Sequence, residues 1–196
     1  MVSQAEIYTP KGHLEIWKLY RDGRQELFFS DHNTITSGMG VGLAAMFAGP
    51  PYGSNNIQDY QIRWAQVGVA APATYGPSQN KLASSLSLLS QYGTNTESII
   101  SSMTPIENGV VMGAKYFMEI PFNAIQKVSN KSVRWTIALG YNTANELGVN
   151  LNEIGLFMTN PLNQPSPCPI LCVYKTFSNI EKTSDFSLAF RWTITF

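Results

Sequence analysis

Three β-patterned runs dominate the last part of the chain and constrain its fold more than any other feature: residues 152–157, 169–177 and 186–196. They read as three successive strands. The last is aromatic-rich and closes on Phe196, so this terminus is expected to be bound into a sheet, with Trp192 and Phe196 as its anchors. Further strands are predicted at 61–69, 110–121 and 132–139, the last alternating around Arg134, Thr136 and Ala138. A hairpin is predicted over 12–30, with Leu14, Ile16 and Tyr20 before the turn and Leu27, Phe28 and Phe29 after it. Asp22-Gly23 is expected to make its type I′ turn.

The period changes after Thr34. Ile35, Met39, Leu43 and Met46/Phe47 recur at helical spacing, Thr34 or Thr36 is placed to cap the start, and Gly49-Pro50-Pro51 ends the pattern, which predicts one helix over 34–48. Beside its apolar stripe lies a row of small residues, Gly38, Gly42, Ala45 and Gly49. Glycine costs roughly 1 kcal/mol relative to alanine inside a helix, so close packing must offset it, within the fold or between copies. The stretch 70–104 is rich in Ser, Gln, Asn and Thr. It is expected to be a long polar insertion with a short second helix at 79–89, and a loop of that length in a compact domain is usually functional or ordered by a partner. About eight strands at turn-separated intervals, with one helix near the front, imply an all-β fold: an antiparallel β-sandwich, jelly-roll-like, in a single domain over 1–196.

Composition supports a folded, uncharged-surface protein. Hydrophobic residues are 44% and aromatics 12%, whereas charged residues are only 13%, against roughly 25% in typical domains. Ser, Thr, Asn and Gln replace the missing charge, which suits a surface buried against neighbours. Thirteen basic residues balance thirteen acidic ones without clustering, which argues against direct nucleic-acid contact. The longest apolar stretch, 39–47, is far short of a membrane span. Nothing near Met1 resembles a secretory signal, so assembly in a cytoplasm is expected. Cys168 and Cys172 would lie roughly 13 Å apart on an extended segment, too far to bridge, and are expected to be free thiols.

Chemical motifs are sparse. Gly38-Met39-Gly40-Val41-Gly42 lies inside the helical pattern instead of between a strand and a helix, so it is not a dinucleotide loop. His13 and His32 are the only imidazoles; a metal site of more than two histidines cannot be built from them within one chain, and His32 is expected in a polar turn that caps the helix. Glu107, Glu119, Glu146 and Glu153 are the acidic candidates for glycosidic chemistry. Glu153 reads more simply as the start of a strand, and Glu119 as the partner of Lys115 or Arg134. Trp17, Trp64, Trp135 and Trp192 fall on predicted strands and are assigned to the core. Tyr52, Tyr60, Tyr75 and Tyr92 fall in loops and are the contact candidates, for a protein partner or for a sugar. No catalytic, cofactor or metal role is assigned to any residue.

Asn33-Thr34-Ile35 followed by Gly38 and Leu43-Ala44, then Val67-Gly68-Val69, Glu153-Ile154-Gly155-Leu156-Phe157, residues 171–177 with Lys182-Thr183, and residues 188–194 together resemble a family of tailed-bacteriophage virion proteins associated with tails, baseplates, collars or fibre attachment. The resemblance follows the order of elements over most of the chain and does not extend to 50–60 or 70–104. It implies a structural component of the virion that binds other copies of itself and other virion proteins, with no cofactor and no small-molecule substrate. The alternatives carried beside it are a lectin-like carbohydrate-binding module and a capsid decoration protein.

Overall fold

The computed structural model describes residues 10–68, 106–107, 110–111, 118–145, 150–163 and 170–196. The element order is β1 (Lys11–Tyr20), β2 (Gln25–Ile35), α1 (Ser37–Ala48), β3 (Ile62–Gly68), β4 (Ile106–Glu107), β5 (Val110–Val111), β6 (Met118–Glu119), β7 (Ile125–Lys127), β8 (Ser132–Leu139), β9 (Asn150–Met158), β10 (Ile170–Glu181) and β11 (Phe186–Thr195). The expected short helix at 79–89 and the insertion at 70–104 lie outside the described residues. So do Tyr75, Tyr92, Glu146 and Cys168.

Nine strands form one antiparallel sheet in the order β6-β3-β9-β10-β2-β1-β11-β8-β7, and β4 pairs separately with β5. This is the all-β, antiparallel architecture that the sequence implies, with one α-helix, in the front half, among the described residues. Its two facing layers are the halves of one continuous sheet curled over on itself. The curl passes through β2, whose first part pairs with β1 while Thr34 and Ile35 pair with Tyr174 and Val173 of β10. The two edges come together at a seam. There the Trp135 indole N–H on β8 donates to the Ile62 carbonyl on β3 at 2.9 Å, while the Ile120 N–H, donating to the Arg63 carbonyl at 2.8 Å, prolongs the β6–β3 ladder. Edge strands β6 and β7 are separated in sequence only by residues 120–124.

Side-chain alternation explains the curl. On β1, Leu14 and Ile16 point inward and His13, Glu15 and Trp17 outward; on β11, Leu188, Phe190, Trp192 and Ile194 point inward, alternating with buried Ala189 and half-buried Arg191 and Thr193. Trp135, Ile137 and Leu139 of β8 complete that layer, and Leu151, Ile154 and Leu156 of β9 with Val173 and Phe177 of β10 supply the other. The Phe177 ring lies 6.0 Å from Phe190 and 6.1 Å from Phe29, joining the layers through aromatic contact. Each such side chain contributes about 1.5–3 kcal/mol of transfer free energy on burial. Strand β9 is buried on both faces over nearly its whole length.

Local details differ from the sequence expectation in instructive ways. The turn of the β1–β2 hairpin is not type I′: Gly23 is left-handed at φ 86° and Asp22 is not. Its N–H donates to Tyr20 O at 3.1 Å and Tyr20 N–H to Arg24 O at 2.9 Å, a type I turn closed by one glycine. The helix begins at Ser37, not Thr34, because the backbone of Thr34 and Ile35 is taken up by β10. Thr36 occupies the N-cap position, yet its hydroxyl donates to Leu171 O at 2.5 Å and caps nothing. His32 lies within β2, facing outward opposite His13, and not in a capping turn.

Candidate functional site

The small-residue row of α1 sets the helix against the sheet. A Cβ on Gly38 would collide with the Leu171 carbonyl and the Ile170 side chain, and one on Gly42 would collide with Met158 Sδ. Ala45 is buried, and its carbonyl accepts the Gly49 N–H at 3.0 Å. These residues therefore pack α1 onto β9 and β10 within the fold.

Seated this way, α1 roofs one end of the curled sheet beside the seam. Met39 and Leu43 of the helix, Tyr60 to Ile62 of the following segment, Met158 at the end of β9, Val133 and Trp135 of β8, Phe122, Ile125 and Phe196 enclose a cleft of about 350 Å³. None of these side chains is charged. Tyr60 is held by its hydroxyl, which donates to Ser54 O at 2.9 Å, so it shapes the wall instead of offering a free polar group. The Arg63 guanidinium stacks 3.8 Å from the Phe122 ring and pairs with Glu119. Glu119 thus pairs with Arg63, not with Arg134 as expected; Lys115 lies outside the described residues.

Large apolar side chains are also exposed on the helix and the segment after it. Phe47, one turn beyond Leu43, is 83% exposed, Phe122 is 60% exposed, and Tyr52 and Ile57 are exposed on the segment after the helix. Phe196, expected as a core anchor, is 38% exposed at the cleft wall. Its N–H donates to Lys131 O at 2.8 Å, so the backbone and not the ring fastens the end of the strand. Trp192 is the true anchor: fully buried, with its indole N–H donating to Asn33 Oδ1 at 2.7 Å.

The tryptophans divide more unevenly than expected. Trp135 and Trp192 are core residues, Trp64 is half-buried with its N–H on Thr159 Oγ1 at 3.2 Å, and Trp17 lies on the outer face. The Trp17 N–H donates to Glu15 Oε2 at 3.1 Å, and the Arg191 guanidinium sits 5.2 Å from its ring.

Three buried polar groupings lie away from the cleft. Glu153, inside β9 and buried, accepts the Tyr174 hydroxyl at 2.5 Å; burial and the adjacent carboxylate push the phenol well above its usual range. Lys182 is 1% exposed, and its ammonium donates to Asn145 Oδ1 at 2.7 Å, Thr183 O at 3.2 Å and Tyr141 O at 3.4 Å. Desolvation lowers its pKa to about 8. Lys175 meets Asp31 at 2.7 Å, and that hydrogen bond holds the carboxyl below the usual range. Each ties a β10 or corner side chain to another element. Cys172 is free and buried, its thiol pushed up to about 12 by desolvation. No cluster of three or more metal-binding side chains occurs among the described residues.

No family model, curated protein or solved structure matches this chain.

Proposed function

We propose that the chain is a structural component of a tailed-bacteriophage virion, in the tail, baseplate or collar, working by oligomeric assembly and protein–protein contact. The observation that carries this reading is the uncharged cleft, whose lining includes exposed Phe122 and Phe196, together with exposed Phe47, Tyr52 and Ile57 on the helix and the segment after it. Contiguous apolar surface on a folded chain marks an interaction site, and aromatic side chains around a depression are the usual anchors of an interface. Copies of the chain and neighbouring virion proteins are the partners this reading assigns.

Mass photometry tests it. The wild-type chain is expected to form a fixed oligomer, and Phe47→Ser with Phe122→Ser to lower the oligomer mass while circular dichroism stays unchanged. A wild type that remains monomeric, or a double variant that assembles normally, overturns the reading.

Trp17 favours a second reading, carbohydrate binding. A half-exposed indole beside Glu15 and Arg191 on a polar sheet face provides a stacking surface with hydrogen-bonding neighbours. Glycan-array binding lost on Trp17→Ala supports it, and an array without signal removes it.

A further inference from the structure

The outer face of the β1–β2 ladder brings the chain's two histidines together, although nineteen positions separate them in sequence. His13 and His32 are direct cross-strand partners, and their ring centroids lie 5.5 Å apart, edge to face. We propose that these two imidazoles form a binding site for a divalent transition-metal ion of borderline softness, Cu²⁺ or Zn²⁺.

The distance fits the chemistry. Metal–imidazole nitrogen bonds are about 2.0–2.1 Å, and the ring centroid lies about 1.1 Å beyond the nitrogen, so two imidazoles on one tetrahedral ion place their centroids about 5.2 Å apart. The tetragonal geometry that Cu²⁺ prefers brings the centroids to about 4.5 Å, so on this reading the rings turn about their side-chain torsions, on adjacent strands paired by the ladder, to take either ion. His13 is half-buried and His32 exposed, so the ion has access from solvent.

The surroundings define what the site holds. Ser30 Oγ is hydrogen-bonded to His13 Nε2 at 3.0 Å, so an ion takes His13 through Nδ1 or displaces that bond. Glu15, the cross-strand partner of Ser30, stands on the same face one row along. Asp31 and Asn33 flank His32 in sequence but turn away, to Lys175 and Trp192. Across the sheet, Thr193 pairs with His13 and Arg134 with Thr193, and Arg191 and Lys11 are the cations on the same face one row to either side. The ion therefore takes two protein nitrogens, leaving its remaining positions to water or to a donor from another molecule.

Titration of the untagged chain with Cu²⁺ or Zn²⁺ alone tests the site. We expect one ion per chain, Cu²⁺ tighter than Zn²⁺ in accord with the order of divalent stabilities, and a Cu²⁺ electron paramagnetic resonance spectrum carrying coupling to two imidazole nitrogens. His13→Gln and His32→Gln should each weaken binding more than about tenfold and leave one coupled nitrogen, with circular dichroism unchanged because both side chains face outward. Wild-type chain that binds neither ion, or that binds as before after either substitution, overturns the proposal.

Discussion

Three glycines of α1 differ in what surrounds them, and a series of alanine substitutions turns that difference into an ordered set of stabilities. Gly40 faces solvent with nothing within 4 Å of an added Cβ. Gly40→Ala should therefore stabilise by the helix-propensity gain of about 0.5–1 kcal/mol. A methyl on Gly42 meets the end of the Met158 side chain, which can swing aside. The propensity gain and the cost of displacing a core thioether are of similar size there, leaving a change within about 1 kcal/mol of zero. A methyl on Gly38 meets the carbonyl of Leu171, which is backbone within a paired strand and cannot yield by a rotamer change. Near the start of the helix the propensity gain is small, so Gly38→Ala should destabilise by about 1–3 kcal/mol. Urea unfolding followed by circular dichroism and by tryptophan fluorescence reads all three. In a domain of this size about 1 kcal/mol moves the thermal midpoint by about 2–4 °C, so thermal scans resolve the same order. If Gly38→Ala proves as stable as Gly40→Ala, the helix does not sit against β10 as described, and the small-residue row has some other purpose.

Trp192→Phe should destabilise by about 2–4 kcal/mol, because it opens a cavity and strips Asn33 Oδ1 of its indole donor in a site whose Asn33 Nδ2 has no partner; a chemical-denaturation midpoint equal to wild type would show that the indole is not the anchor. Lys182 sets a pH dependence. Its folded pKa of about 8 lies below the ordinary 10.5, so between those values the unfolded chain binds the extra proton and stability rises with pH. Cys172 acts in the opposite sense between 9 and about 12, so the informative measurement is the difference between wild type and Lys182→Met in urea unfolding across that range. That difference should grow in favour of wild type by on the order of 1–3 kcal/mol as pH rises from about 8 to 10.5; a flat difference removes the assigned burial of the ammonium.

Much of the fold was legible because its strands are long and locally patterned. Residues 132–139 are read at the observed bounds of β8, and the three C-terminal runs fall on β9, β10 and β11 within a few residues. What escaped depends on partners distant in sequence. Ile35 has the right spacing from Met39 and Leu43 for a helix, and only its pairing with Val173 reveals it as strand. Strand β7 is three residues long, too short for any periodicity to register, whereas β6 falls within the run read at 110–121. The cleft was legible only in its parts, since Phe122, Ile125, Trp135 and Phe196 converge through the curl of the sheet. Of the loop tyrosines, Tyr60 is spent on Ser54 while Tyr52 is exposed. The histidine pair is not legible along the chain, because the ladder supplies the companion of His32 from another strand.

The short stretch 120–124, which joins one edge strand to the other, makes the sheet a clasped band. An open sheet can flatten, twist further or lend an edge to a stranger. Here either edge can separate from the seam only by dragging the other through a connector with little slack, buried at Ile120 and stacked at Phe122. Curvature is thereby fixed by chain connectivity as well as by side-chain packing. Lengthening that connector with a flexible insert would leave every strand's sequence intact and still free the band to uncurl, exposing the Trp135 contact and the interior behind it.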